Sequence, residues 1–131
     1  MSKPLDPASF AKNGSEQGHQ VALFVWASQN YPVYPCLRLM YHIPNGGKRD
    51  KITAANLKAA GVKAGVPDLC LPVPIGPWHG LYIELKAPGK GASDEQLEYI
   101  VELRKQGYGA CVVVGWQAAR DTILAYLNWK G

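Results

Sequence analysis

Asp68, Glu84 and Lys86 are the residues of this chain whose types and spacing best suit them to chemistry. Asp68 closes the block Gly65-Val66-Pro67-Asp68 at the head of one apolar run. Glu84-Leu85-Lys86 closes the next run sixteen positions later, and Gln96 stands ten residues beyond Lys86. An acid at the start of one run and an acid-x-lysine at the end of the next can meet only if the two runs are neighbouring strands. Side chains alternate faces along a strand, so Glu84 and Lys86 point one way and Leu85 the other. Two carboxylates and an ammonium then converge on one patch. Mg²⁺ is a hard cation that takes carboxylate, carbonyl and water oxygens and keeps several waters, so Asp68 and Glu84 suit it as ligands. Such an ion polarises a phosphoryl oxygen and activates a water, while Lys86 orients that water or offsets charge building on a phosphate. The chemistry this set suits is metal-assisted hydrolysis of a phosphodiester.

Each residue also has a plainer use. Asp68 after Pro67 can cap a turn. Glu84 and Lys86 can form a surface pair on an exposed strand face, worth roughly 1 kcal/mol or less. A carboxylate inside Leu81-Tyr82-Ile83-Glu84-Leu85 nevertheless needs a partner, because burying it alone costs several kcal/mol. Gln96 stands three after Ser93 in the spacing of a capping box. Glu16 follows Ser15 at the head of a helix, where an acid favours the helix dipole.

The elements that must position these residues follow from periodicity. Residues 1–14 are rich in Pro, Gly, Ser and Asn and are expected to form a loose lead-in. Ser15 to Gln29 has helical spacing and is stopped by Pro32, with Glu16 and Gln20 one turn apart. Leu37 to Ile43 alternates and predicts a strand. Pro44 to Gly47 predicts a loop, and Lys51 to Ala60 a short helix ended by Gly61. Asp68 to Val73 and Gly80 to Ala87 predict adjacent strands, joined by a connector with Pro72, Pro74 and Pro77 that limits regular pairing. Ser93 to Gln106 predicts a helix with acids in its first turn and Arg104 and Lys105 in its last. Gly109 to Val114 predicts a buried strand, and Trp116 to Trp129 a final helix whose Ile123, Leu124, Tyr126 and Leu127 bury against the sheet. The order α-β-α-β-β-α-β-α implies an α/β fold with a mixed sheet flanked by helices.

With 131 residues, 47% of them hydrophobic, the chain suits one domain with its own core. An excess of 14 Lys+Arg over 10 Asp+Glu favours a polyanionic partner. The densest basic region is Lys48, Arg49, Lys51, Lys58 and Lys63 around the loop Asn45-Gly46-Gly47, and backbone amides with cations are what phosphate contacts use. Lys86 and Lys90, with Gly89 and Gly91, extend that surface. Trp78 and His79 can stack on bases or, more simply, pack on the domain edge. Cys36, Cys70 and Cys111 are odd in number and widely spaced, which indicates neither a disulfide framework nor a zinc site and suits a reducing cytoplasm. No run approaches the roughly eighteen apolar residues of a membrane span. No Gly-Lys pair is followed by Ser or Thr, so a nucleotide-binding P-loop is not expected.

The ordered set Glu16, Asn45-Gly46-Gly47 with Lys48 and Arg49, Lys58-Ala59-Ala60-Gly61-Val62, Gly65-Val66-Pro67-Asp68, Glu84-Leu85-Lys86, Gln96 and Gly107-Tyr108 resembles a stand-alone VRR-NUC domain, a branch of the PD-(D/E)XK nuclease superfamily. The resemblance runs over most of the chain. It implies a restriction-endonuclease-like αβββαβ core in which Asp68, Glu84 and the backbone carbonyl of Leu85 bind Mg²⁺ or Mn²⁺ and Lys86 assists the attacking water. Glu16 would complete the metal site and Gln96 would support it, while Asn45, Gly46, Gly47, Lys48, Arg49, Lys51 and Lys90 would hold DNA. Single-domain members resemble Holliday-junction resolvases that act as homodimers. The resemblance therefore implies an endodeoxyribonuclease selective for four-way junctions, bacterial or phage-encoded and working in the host cytoplasm. A flap or linear-duplex nuclease in repair or phage replication, or a DNA-binding module that does not cut, are the alternatives.

Overall fold

The strand pair expected around Asp68 and Glu84 forms, and it is the middle of a four-stranded mixed sheet. The computed structural model describes residues 3–44 and 50–131; Asn45, Gly46, Gly47, Lys48 and Arg49 lie outside the described residues. The elements are α1 (Glu16–Gln29), β1 (Tyr41–His42), α2 (Lys51–Ala59), β2 (Leu69–Leu71), β3 (Leu81–Lys86), α3 (Asp94–Lys105), β4 (Gly109–Val114) and α4 (Trp116–Leu127), with short 3-10 helices at Pro7–Ala11 and Pro35–Leu39.

The strands lie in the order β1-β2-β3-β4. β1 pairs antiparallel with β2, and β2 antiparallel with β3, Leu69 opposite Ile83. β3 and β4 run parallel, Glu84 opposite Val112 and Lys86 opposite Val114. A parallel pair needs a crossover, and α3 supplies it. Ser93 and Gln96 form the expected capping box at the start of that helix, with Asp94 and Glu95 in its first turn and Arg104 and Lys105 in its last.

The core lies between one sheet face and two helices. Leu69, Leu71, Leu81, Ile83 and Leu85 meet Ala22, Leu23 and Trp26 of α1 and Trp116, Ala119, Ile123 and Tyr126 of α4. Period-two alternation therefore sends Tyr82, Glu84 and Lys86 of β3 to the opposite face. α1 begins where the Ser15 hydroxyl accepts the Gly18 amide at 2.9 Å, which fixes Glu16 in its first turn.

Two stretches differ from their sequence pattern. Residues 37–43 do not form one strand: Pro35 opens a 3-10 helix that runs to Leu39, and only Tyr41–His42 pair. Proline presets a helical φ. Leu37 is 1% exposed and Leu39 56%, so burial follows Leu37 and Met40, one helical turn apart, rather than alternation. Within the lead-in, Asp6 caps the Pro7–Ala11 turn by accepting the Ala8 amide, and this turn packs along α1. No helix among the described residues is long and apolar enough to cross a membrane.

Candidate metal centre

Antiparallel pairing of β2 and β3 brings the residue just before β2 beside the end of β3, and this is where the acids meet. One carboxylate oxygen each from Glu16, Asp68 and Glu84 lies within 4.8 Å of the others. Glu16 arrives from the head of α1, Asp68 from the turn into β2, and Glu84 from the strand itself. Asp68 is held from three sides. Its Oδ2 accepts the Leu85 amide at 3.0 Å, and its carbonyl accepts the Ile43 amide at 2.6 Å and the His42 ring Nδ1–H at 3.0 Å.

The turn that delivers Asp68 requires glycine at its start. Gly65 has φ +84°, and a Cβ there would stand 2.6 Å from the Glu95 carbonyl oxygen at the head of α3. The Gly65–Asp68 block is thereby packed against the helix that carries Gln96. The Gln96 side chain itself accepts the Ser93 amide at 2.8 Å, so its visible bond is the helix cap.

Burial excludes the plain surface pair. Glu84 is 1% exposed and Lys86 8%, and the Lys86 Nζ lies 3.4 Å from Glu84 Oε2. Both Glu84 oxygens are buried without a hydrogen-bond partner, and no other buried side-chain oxygen or nitrogen among the described residues is in that position. Burial, and then the adjacent Asp68 carboxyl, push the Glu84 carboxyl up to about 8 against the pull of Lys86. Three carboxyls this close cannot all ionise without added positive charge, and one lysine supplies a single unit. Orphaned hard oxygen donors converging at this distance fit a divalent cation in the class of Mg²⁺.

Two histidines passed over in the sequence reading hold the site together. His19 lies three residues after Glu16 on α1 and is buried. Its Nδ1 accepts the Trp116 amide at 3.0 Å, in place of the cap that Gly115 has no side chain to provide. Gly115 in turn donates to the Lys86 carbonyl at 2.9 Å. The helix bearing Glu16 is thus tied through the head of α4 to the strand bearing Lys86. Helical spacing from Glu16 could have pointed to His19; nothing short of the strand pairing reveals His42.

Of the DNA-holding residues expected, Lys51 opens α2 and is exposed, and Lys90 is exposed in the turn after β3. Asn45 to Arg49 lie outside the described residues. Trp78 packs 5.8 Å from the Tyr126 ring and 5.3 Å from Trp129, beside an aromatic cavity of about 610 Å³ that Leu81 lines at the opposite end of β3.

The VRR-NUC domain model matches residues 15–129. A solved structure described as a VRR_NUC domain protein is 33% identical, with a TM-score of 0.74, over 86% of this chain and 88% of its own. No curated protein matches the chain.

Proposed function

The chain belongs to the VRR-NUC family of nucleases, and from that premise we propose that it is a Mg²⁺- or Mn²⁺-dependent endodeoxyribonuclease acting as a homodimer on four-way junctions. The observation that carries the metal assignment is the Glu84 carboxylate, buried without a hydrogen-bond partner and within 4.8 Å of Asp68 and Glu16.

In this assignment Asp68, Glu84 and Glu16 hold the cation together with the Leu85 backbone carbonyl. A divalent ion bound there supplies positive charge to the scissile phosphate and makes water a better nucleophile near neutral pH. The protein's own groups do the rest. The Leu85 amide, bonded to Asp68 Oδ2, keeps that carboxylate aimed while its second oxygen remains for the ion. The Lys86 ammonium, adjacent to Glu84, faces the charge that develops on the phosphoryl oxygens as the water oxygen bonds to phosphorus and the bond to the departing sugar oxygen breaks. Gln96 supports the site through the head of α3, against which Gly65 packs. Lys51 and Lys90, with Asn45, Gly46, Gly47, Lys48 and Arg49, take the DNA backbone.

The test is incubation with a labelled four-way junction, a flap and a plain duplex of matched sequence, in Mg²⁺, Mn²⁺ or EDTA, alongside Asp68→Ala. Metal-dependent nicking of the junction that vanishes in the variant is expected. Preferential cutting of flap or duplex would reassign the substrate. Binding without any cutting would leave a DNA-binding module.

A further inference from the structure

Hydrolysis at the metal centre makes no use of the aromatic cavity of about 610 Å³ at the other end of β3, whose size is that of a ligand pocket. Its walls are already set. Trp78 stands edge-on to Trp129 at 5.3 Å and tilted against Tyr126 at 5.8 Å, and the Trp129 ring lies so close over Gly76 that any side chain there would collide with it. Tyr108, also in the lining, is held edge-on by His79 and Tyr82. Ala125 of α4 contributes only a methyl group.

The hydroxyls of the lining are engaged, Tyr126 donating to the Val73 carbonyl at 2.5 Å and Thr122 to the Ala118 carbonyl at 2.8 Å. Arg104 is the one charged residue among the described lining residues. Its Nε donates to the Ala110 carbonyl at 2.8 Å, which fixes the guanidinium and leaves both terminal amino groups for a ligand. The adjacent Lys105 is paired with Glu102 at 2.9 Å.

The Arg104 bond also places the cavity at a sheet edge. β4 is the last strand of the described sheet, and the Gly109 and Gly115 amides at its two ends point to β3, donating to the Gly80 and Lys86 carbonyls. Alternation then turns the amides and carbonyls of Ala110, Val112 and Val114 to the outer edge. Arg104 takes the first of these carbonyls, while Val112 and Val114 make no bond on that side among the described residues. Gly109–Val114 has no proline and no charge to blunt the edge. An open strand edge beside an aromatic cavity with one uncommitted cation fits an extended peptide, with main-chain bonds along β4, an aromatic side chain in the cavity and a carboxylate on Arg104. A second copy paired through its own β4 is a poor occupant, because Gly-Ala-Cys-Val-Val-Val brings neither a ring nor an acid. DNA offers bases and phosphates but no backbone that pairs with a strand edge.

We propose that the β4 edge and the cavity beside it dock an extended segment of a partner protein that carries an aromatic residue and, two residues from it, an Asp or Glu. That spacing puts both side chains on one face of the added strand. The proposal does not depend on the nuclease assignment, and a partner held there lies away from the acidic triad.

The experiment is selection of a phage-displayed library of random dodecapeptides on the immobilised chain, followed by fluorescence anisotropy of the enriched peptide in fluorescein-labelled form. Enrichment of an aromatic residue and an acid two positions apart is expected. Ala125→Trp, which fills the cavity, and Val112→Pro, which removes an outward amide but no bond to β3, should each weaken the peptide about tenfold or more. Arg104→Gln should weaken it by a similar factor, and no further once the acid of the peptide is replaced by its amide. Unchanged urea midpoints show that the variants are folded; if Val112→Pro is not, Ala125→Trp decides alone. No consensus, or a consensus peptide that Ala125→Trp binds as wild type does, would overturn the proposal. A dimer in light scattering that Val112→Pro converts to monomer would overturn it in favour of a second copy, and a labelled single-stranded oligonucleotide whose binding Ala125→Trp abolishes would overturn it in favour of a nucleobase.

Discussion

A carboxyl placed as Glu84 is must take either a proton or a cation. In the metal-free protein it holds its proton to about 8, whereas an unperturbed glutamate releases it near 4.5. Between those values the folded chain binds more protons than the unfolded one, so stability falls as pH rises through the window and levels off above it. In the proposed function a divalent ion would compete for the same oxygens. The rise in Tm caused by Mg²⁺ should therefore grow from about pH 5 to about pH 8, as differential scanning fluorimetry would show, and Glu84→Gln should remove both the pH trend and the metal effect. In the proposed function Lys86 differs in kind, because it would face charge that exists only during reaction. Lys86→Ala should retain DNA affinity and the Mn²⁺-induced Tm rise while single-turnover cutting falls about 10²-fold or more. Equal losses in binding and cutting would contradict that role. Asp68→Ala should lose the metal-induced rise itself, since it removes a carboxylate oxygen from the triad.

At the scale of elements, the site depends on how the head of α4 is closed. Gly115 turns the chain at φ +86° but offers no side chain, and His19 from α1 accepts the Trp116 amide in its place. His19→Ala should leave that buried amide unpaired and cost about 1–3 kcal/mol in urea denaturation. Because the same bond ties the helix of Glu16 to the strand of Lys86, metal affinity should fall with stability. A variant that loses neither would show that α1 is positioned by core packing alone. α3 follows the opposite pattern, being specified locally by Ser93, Gln96, its first-turn acids and its last-turn cations. α2 is local as well, with its own Asp50 cap and no burial in the described structure.

For the whole molecule, the described residues of one chain carry one acidic triad. Two sites related by a two-fold axis would nick a four-way junction symmetrically, whereas a monomer would leave asymmetric single nicks. Light scattering should give twice the mass of the 14.3 kDa chain, and mapping of the cut ends should place the nicks at equivalent positions on opposed strands. A monomer with asymmetric products would remove the resolvase-like half of the proposed function and leave the metal centre intact.

The elements and the acids were legible in the sequence because they are written in local terms. Period-two and helical spacing, Pro and Gly stops, the Ser93 capping box and the Gly65-Val66-Pro67-Asp68 block each act within a few residues, and the motif set pointed to the family that the comparisons support. Where two local rules competed, as between Pro35 and the alternation of residues 37–43, the sequence could be read either way and burial of Leu37 with Met40 settled it. The tertiary structure alone decided three matters. It set the approach of Glu16 to Asp68 and Glu84, the burial of the Glu84 oxygens without a hydrogen-bond partner, and the bond from Trp116 to His19, ninety-seven residues apart. Each depends on strand pairing and helix docking between distant segments. Propensity acts over a few residues and is silent on what the rest of the chain brings alongside.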